Sequence, residues 1–387
     1  MPNLTIPVPL GWRQLTHRPL RLVVAVAGIA FAVLLILMQL GFREALFEST
    51  LRLHERFRYD IALFSPDSVF IVRPAPFSSR RLYQALGHDA VTDVSPVHIF
   101  PAVWKNPWNN ERRSLNAIGF DPEEDLLDTP GFAAGRSLLR QQDVVLFDGA
   151  ARPEFGPVRQ EFEANGPITT EINDRSIQVV GIIEIGPSFG IDGIVMTSID
   201  NWLRLFPERS RDDIQLGLIR LRVGADPVAV RDELRAQLPQ DVEVLTRKDF
   251  IDRERSYWNG ATPIGYVFAF GAIMGLVVGG IIVYQILFAD VSEHIKEYGT
   301  LRALGYSSGF VSGIVMQQAA ILALLGYLPG ALGAHLLYGA AASATRLPLY
   351  LTPERGLAVF LLTLSMCMLS GFIALRKVRK LDPAEVF

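Results

Sequence analysis

Two stretches carry the Gly-x-Ser-x-Gly spacing that exposes a nucleophilic serine when it sits at a strand-to-helix elbow. They are Gly186-Pro187-Ser188-Phe189-Gly190 and Gly305-Tyr306-Ser307-Ser308-Gly309. Neither has the surroundings that this chemistry needs. Ser188 is followed by another extended, Val/Ile-rich segment, and Ser307 is preceded by a helical one, so both read as Gly/Ser turns. Metal chemistry is no better served, because His54, His88 and His98 lack ligand spacing and no His-Glu-x-x-His occurs. A phosphate-cradling loop needs Gly-Lys-Ser/Thr. Of Lys105, Lys248, Lys296, Lys377 and Lys380, none follows a glycine. The chain therefore reads as non-catalytic, with no catalytic residue, cofactor or metal and no nucleic-acid partner. Any ATP hydrolysis that it depends on belongs to another polypeptide. Cys367 is the sole cysteine, so no disulfide framework is expected.

Residues with so little reactive chemistry are arranged around four apolar runs: Leu22–Leu40, Ile264–Phe288, Val311–Tyr338 and Gly356–Leu375. A membrane-crossing helix takes ~20 residues, and each run reaches that length without an Asp, Glu, Lys or Arg. The predicted spans are 22–41, 263–288, 310–339 and 356–375, and membrane lipids are their surroundings. Ion-coupled transporters keep an ionisable group in the membrane. Here only His335 qualifies, near the end of its span, where an interfacial side chain is the simpler reading. Self-powered transport is disfavoured.

Orientation follows from charge. Residues 42–262 hold 26 Lys and Arg against 34 Asp and Glu, whereas the remainder holds 11 against 6. Arg13, Arg18 and Arg21 precede the first span, and Arg376, Lys377, Arg379 and Lys380 follow the last. Basic flanks stay cytoplasmic. The segment 1–21, the loop 289–309 and the tail 376–387 are thus expected inside, and 42–262 outside. The first run is longer than a signal-peptide core and has no A-x-A-like site after it, so it reads as an uncleaved anchor.

The external block, 42–262, reads as α+β on helical stalks. Residues 43–58 continue as a helix in which Leu46, Thr50, Leu53 and Phe57 repeat at 4-3-4 spacing. That is either a seam for a partner helix, with 247–262 as the candidate, or an ordinary amphipathic surface. Strands are expected at 60–64, 97–104, 114–119, 144–147, 177–185, 193–197, 214–223 and 242–245. Helices are expected at 78–86, 199–205 and 228–238, the last opened by Asp226-Pro227. The Pro/Gly-rich middle, about 121–210, reads as an insertion; this predicts two subdomains. In the second span Gly271, Gly275 and Gly279 recur every fourth residue. Such a face packs either within one subunit or between two.

In the loop between the second and third spans, Val291, Ile295 and Tyr298 share one face of a short helix expected to end at Gly299. It is either a docking helix for a partner or an interfacial connector. Its segment Glu297-Tyr298-Gly299-Thr300-Leu301-Arg302-Ala303-Leu304-Gly305 resembles the E-x-G-x-L-R-A-L-G block of FtsX/MacB-type ABC permeases, and Asp382-Pro383-Ala384-Glu385 resembles their D-P-A-E tail. Other blocks are similar to the DevC subgroup: Ala27–Phe42, Trp104-Lys105-Asn106-Pro107, Ile118–Pro122, and Asp148 through Arg152–Pro157. His294 departs from the family, in which many members carry a basic residue there.

The resemblance implies an α-helical membrane protein with four transmembrane helices, plus a large α+β periplasmic domain inserted between spans 1 and 2 and raised on helical stalks. It implies a homodimeric inner-membrane permease subunit working with an ABC ATPase, a periplasmic membrane-fusion adaptor and a TolC-like outer-membrane channel. Such subunits act by mechanotransmission, and the DevC type exports lipid-like or glycolipid substrates. The residues assigned to ATPase coupling are Glu293, Ile295, Glu297, Tyr298, Leu301 and Arg302. Leu46, Leu53 and Phe57 are assigned to the stalk, and Gly271, Gly275 and Gly279 to helix packing. The superfamily leaves two alternatives: an FtsX-like permease signalling to a periplasmic hydrolase, and a lipoprotein-releasing permease.

Overall fold

The computed structural model describes residues 10–261 and 263–379, so the D-P-A-E tail lies outside the described residues. In chain order the helices are α1 (Leu10–His17), α2 (Pro19–Arg56), α3 (Arg80–Ala85), α4 (Phe132–Gly135), α5 (Val158–Asn165), α6 (Ile199–Leu205), α7 (Pro227–Gln237), α8 (Arg247–Ser256), α9 (Pro263–Glu293), α10 (Ile295–Ala303), α11 (Ser308–Thr345) and α12 (Pro353–Arg379). The strands are β1 (Ile61–Phe64), β2 (Phe77–Ser78), β3 (Val91–Lys105), β4 (Arg112–Phe120), β5 (Val144–Asp148), β6 (Ile168–Ile172), β7 (Arg175–Ile183), β8 (Ile194–Ser198), β9 (Asp213–Ile214), β10 (Leu216–Leu221) and β11 (Glu243–Thr246). They form two compact units. Among the described residues, one holds 10–44, 263–344 and 349–379. The other holds 45–261 and 345–348.

The first unit is helical. α2, α9, α11 and α12 are each long and apolar enough to cross a membrane. Lipid tails are as apolar as leucine, so close packing rather than water exclusion must join such helices. The glycines supply it. A Cβ on Gly271 would stand 2.6 Å from the Gln39 amide group, one on Gly275 would stand 3.1 Å from Ile36, and one on Gly279 would stand 2.7 Å from Ala32. The glycine face of α9 is therefore occupied by α2 of the same chain. Gly330 does the same for α11, where a Cβ would lie 2.6 Å from the Ala30 carbonyl oxygen. Outward positions such as Tyr266, Phe270, Leu328 and Leu332 are exposed.

The second unit is α+β. Its main sheet has nine strands in the order β11-β1-β10-β3-β4-β8-β5-β7-β6. Pairing is parallel for β4–β8 and β5–β7, and antiparallel elsewhere. β3 is the backbone of this sheet. Its residues 91–97 pair with β10, and residues 98–105 pair with β4. The segment read as an insertion supplies β5 to β8, which continue the same sheet rather than starting another. One apolar cluster lies on β1, β10, α3 and α7, and a second lies among β4 to β8 and α6. The largest runs across both parts and includes Leu53 of α2 and Phe57 just beyond its end.

Several elements of the chain differ from expectation. β3 begins six residues before the expected strand, β6 and α5 were not expected, and α10 passes through Gly299 to end at Ala303. Glycine costs a helix only about 1 kcal/mol, which the packing of the neighbouring Tyr298 offsets.

Candidate functional site

The stalk end of α2 enters the domain with its seam covered. Leu46, Thr50, Leu53 and Phe57 are all buried. α8 packs against this end, and its start is fixed by a reciprocal capping box between Thr246 and Asp249. Phe250 of α8 meets the His54 ring edge-on at 4.5 Å, and the Arg247 guanidinium donates to the carbonyl oxygens of His54 (2.9 Å) and Glu55 (3.2 Å). Deeper in, the buried Glu254 carboxylate accepts from the Trp258 indole N–H and the Ile71 amide, both at 3.1 Å. The His54 Nδ1 lies 3.0 Å from the Tyr59 hydroxyl, and burial pushes that phenol above its ordinary range. After α8 the chain widens into a π-turn, Tyr257–Ala261, just before α9.

Reading the seam by its apolar residues alone misses the polar ones on the same helix. Arg52 donates to the Pro187 carbonyl at 2.9 Å and the Arg346 carbonyl at 3.3 Å. Ser49, fully buried, accepts from the Phe189 amide at 3.2 Å. Behind this loop the buried Asp148 carboxylate accepts from the amides of Ala150, Ile185 and Gly186 at 3.1, 3.0 and 2.8 Å. Burial lowers the pKa of Arg52 and raises that of Asp148, whose amide donors oppose the rise. A single polar residue per helical turn leaves no periodic trace, so only the structure reveals this group.

Two blocks that carried the family resemblance meet within the domain. Trp104 donates its indole N–H to the Phe155 carbonyl at 3.3 Å, and the Asn106 amide donates to the Glu154 carbonyl at 3.1 Å. Ser188 and Ser307 are turn residues: their hydroxyl oxygens accept from the amides of Gly190 (3.3 Å) and Phe310 (3.2 Å).

The loop between the second and third spans divides its expected residues between two faces. Glu293 pairs with Arg18 at 2.8 Å and Arg21 at 2.7 Å, and the Arg21 hydrogen bond holds its carboxyl below the usual range. Tyr298 is turned inward, 2% exposed among Val291, Val311, Ile314, Val315 and Leu375. Its hydroxyl donates to Gln14 at 3.3 Å, and burial raises its pKa. Gln318, also buried, donates to Gln14 (3.0 Å) and Asp290 (2.8 Å). This polar point of the third span thus ties α1 to α9. Ile295 and Leu301 are half-buried, and Glu297 is exposed with Lys296 and Thr300. Arg302 lies within α10, its side chain outside the described residues. The outward apolar side chains follow α10: Leu304 is 72% exposed, Tyr306 49% and Phe310 41%. The face marked by Tyr298 is therefore spent on the chain's own packing, and the accessible face runs from Lys296 to Phe310.

The family model of the MacB-like periplasmic core domain matches residues 22–237, more than half of the chain. That of the FtsX-like permease C-terminal region matches residues 269–383. The macrolide export ATP-binding/permease protein MacB of Sodalis glossinidius is 24% identical over 394 residues, covering 95% of this chain and 58% of its own length. The protein of the same name from Rhodopseudomonas palustris is 29% identical over 145 residues, covering 35% and 22%. The chain thus spans 58% and 22% of the length of these two relatives. The crystal structure of the periplasmic region of MacB from Actinobacillus actinomycetemcomitans superposes with a TM-score of 0.35 at 11% identity, over 50% of this chain and 91% of that one.

Proposed function

The chain belongs to the ABC transporter permeases built from a MacB-like periplasmic core domain and an FtsX-like C-terminal region, and from that premise we propose that it is the DevC-type permease subunit of an ATP-driven export system. In this reading it is a homodimer in the inner membrane with both termini and residues 289–309 in the cytoplasm. A partner ABC ATPase supplies the energy, and a periplasmic membrane-fusion adaptor and a TolC-like outer-membrane channel carry the substrate away. The substrate class is lipid-like or glycolipid, on the DevC resemblance alone.

The observation that carries the mechanotransmission reading is α2 itself. One uninterrupted helix contains the first apolar span and ends at Arg56, with Leu53 in the core of the periplasmic domain. A helix of 38 residues is stiff over its length, so a tilt at one end is felt at the other. The spans supply no charged conduit that competes with this route.

ATPase docking is assigned to the exposed strip of α10 and the turn after it, with Glu297 at its centre and Leu304 as the apolar anchor. Leu304→Asp puts a charge into a contact that must be desolvated, and is expected to weaken ATPase recovery from native membranes by ~10–100-fold. The permease should keep its own thermal stability, because Leu304 touches little of its own chain. Recovery of the ATPase at the wild-type level with Leu304→Asp and Glu297→Lys combined would overturn the docking assignment.

A further inference from the structure

We propose that the loop 184–191 is the clamp through which α2 moves the periplasmic domain, with Ser49 and Arg52 as its grip and Asp148 as its anchor. The inference rests on the mechanotransmission reading and names the residues that would do the transmitting.

Ser49 and Arg52 lie three positions apart and so share one face of α2. Both hold main-chain atoms of the same short loop, the Phe189 amide and the Pro187 carbonyl. Bonds to backbone fix where the loop runs, whereas bonds between side chains would leave it free to slip. Gly186 makes the approach feasible. It has φ of +91°, and a Cβ there would sit 2.6 Å from the Arg52 guanidinium. Any other residue would be strained in conformation and would push the guanidinium off the loop.

The loop is equally fixed on its far side. It leaves the end of β7, and the neighbouring parallel strand β5 ends at Asp148, which lies opposite Ile183. The Asp148 carboxylate binds the amides of Ile185 and Gly186, so loop and β5 must move together. A buried carboxylate is costly to desolvate and is held here by three amides. Removing it would release the loop from the sheet.

The second stalk segment touches the same loop. Phe189 meets the Trp258 ring edge-on at 5.4 Å, and Trp258 in turn bonds Glu254. Arg52 also reaches the Arg346 carbonyl, in the connection between α11 and α12, where Arg346 takes a left-handed φ of +58°. The clamp is thus placed where the first stalk, the second stalk and the third-to-fourth span connection come together, and its output is the end of the β5–β7 pair.

The test uses the complex purified from native membranes with its ATPase, compared nucleotide-free and trapped with ATP and vanadate. Hydrogen exchange is followed in peptides 45–56 (stalk), 184–191 (loop) and 144–150 (β5). In wild type, trapping is expected to change exchange in all three. In Arg52→Gln the stalk response should remain, while the loop and β5 responses fall by at least ~3-fold, with exchange in 97–119 unchanged as the sign of a folded domain. Arg52→Lys, which keeps the cation but has one donor group for two carbonyls, should fall between; it stands in if the glutamine variant does not fold. Full loop and β5 responses in both variants would overturn the clamp. A wild-type complex whose stalk responds while β5 does not would also overturn the clamp and leave mechanotransmission standing. No response in stalk or domain would overturn both.

Discussion

At the scale of single residues, the domain contains a carboxyl group whose burial has a measurable cost. Glu124, in the loop after β4, has an unpartnered buried oxygen. Burial pushes its pKa up to about 7, with Asp121 and Asp93 adding to the rise and Ser95 and Arg220 opposing it. The folded state therefore holds a proton that the unfolded chain has already lost above about pH 4.5. Stability from this group is full below that pH and is lost as pH climbs toward 7. Glu124→Gln keeps the shape without the ionisation. In the full chain in detergent it should flatten the fall in domain melting temperature between pH 5 and 8, and gain ~2 kcal/mol at pH 8. Parallel pH profiles for variant and wild type would sink the assignment. Residues of this kind are hard to read from sequence, because Glu124 stands in an acidic stretch that looks solvated throughout. Tyr298 misleads in a similar way. Its position on an apolar face was legible, but whether that face belongs to a partner or to α11 depends on a contact that the loop's own sequence does not encode.

At the scale of elements, apolar run length made the four spans plain, and the 4-3-4 repeat of Leu46, Thr50, Leu53 and Phe57 marked a face that is buried in the structure. The first half of β3 was hidden, because Thr92, Asp93, Ser95 and Pro96 break any apolar alternation. Its partner β10 lies more than a hundred residues away, so the pairing leaves no local signal. The glycine spacing in α9 showed a close contact without showing with what. α2 fills that place, and a contrast between neighbours measures it. A Cβ on Gly279 would lie 2.7 Å from that of Ala32, a short side chain that cannot swing aside, whereas one on Gly280 meets nothing nearer than 3.5 Å. Gly279→Val should destabilise the four-helix unit by ~1–3 kcal/mol through overpacking, while Gly280→Ala should stay within ~0.5 kcal/mol. Thermal loss of helical circular dichroism in detergent compares the two. Equal melting temperatures would mean that α2 and α9 are not joined through this face.

For the whole molecule the deciding variable is which side of the membrane each unit's loops occupy, since an ATPase and a periplasmic adaptor cannot share a compartment. The acidic excess lies in 42–262, and the basic excess lies at the chain ends. Positive residues near span ends resist translocation, and the Arg18 and Arg21 pairing with Glu293 draws the start of α2 and the 289–309 loop to the same end of the helical unit. Both should therefore face the cytoplasm. Cys367 is buried in α12, so Cys367→Ser gives a clean background. Into it go single cysteines at Ser176 and Ser210, both exposed on the periplasmic domain, and at Thr300, exposed on α10. In intact spheroplasts an impermeant maleimide should label the first two and spare the third, which should become reactive only after the membrane is permeabilised. The Thr300 position is the stringent one, because an ATPase docked as proposed would shield it. Labelling must therefore be repeated on membranes stripped of peripheral subunits. Protection of Ser176→Cys and Ser210→Cys together with labelling of Thr300→Cys in intact spheroplasts would invert the topology, and would place the accessible strip from Lys296 to Phe310 where no ATP-binding partner could reach it.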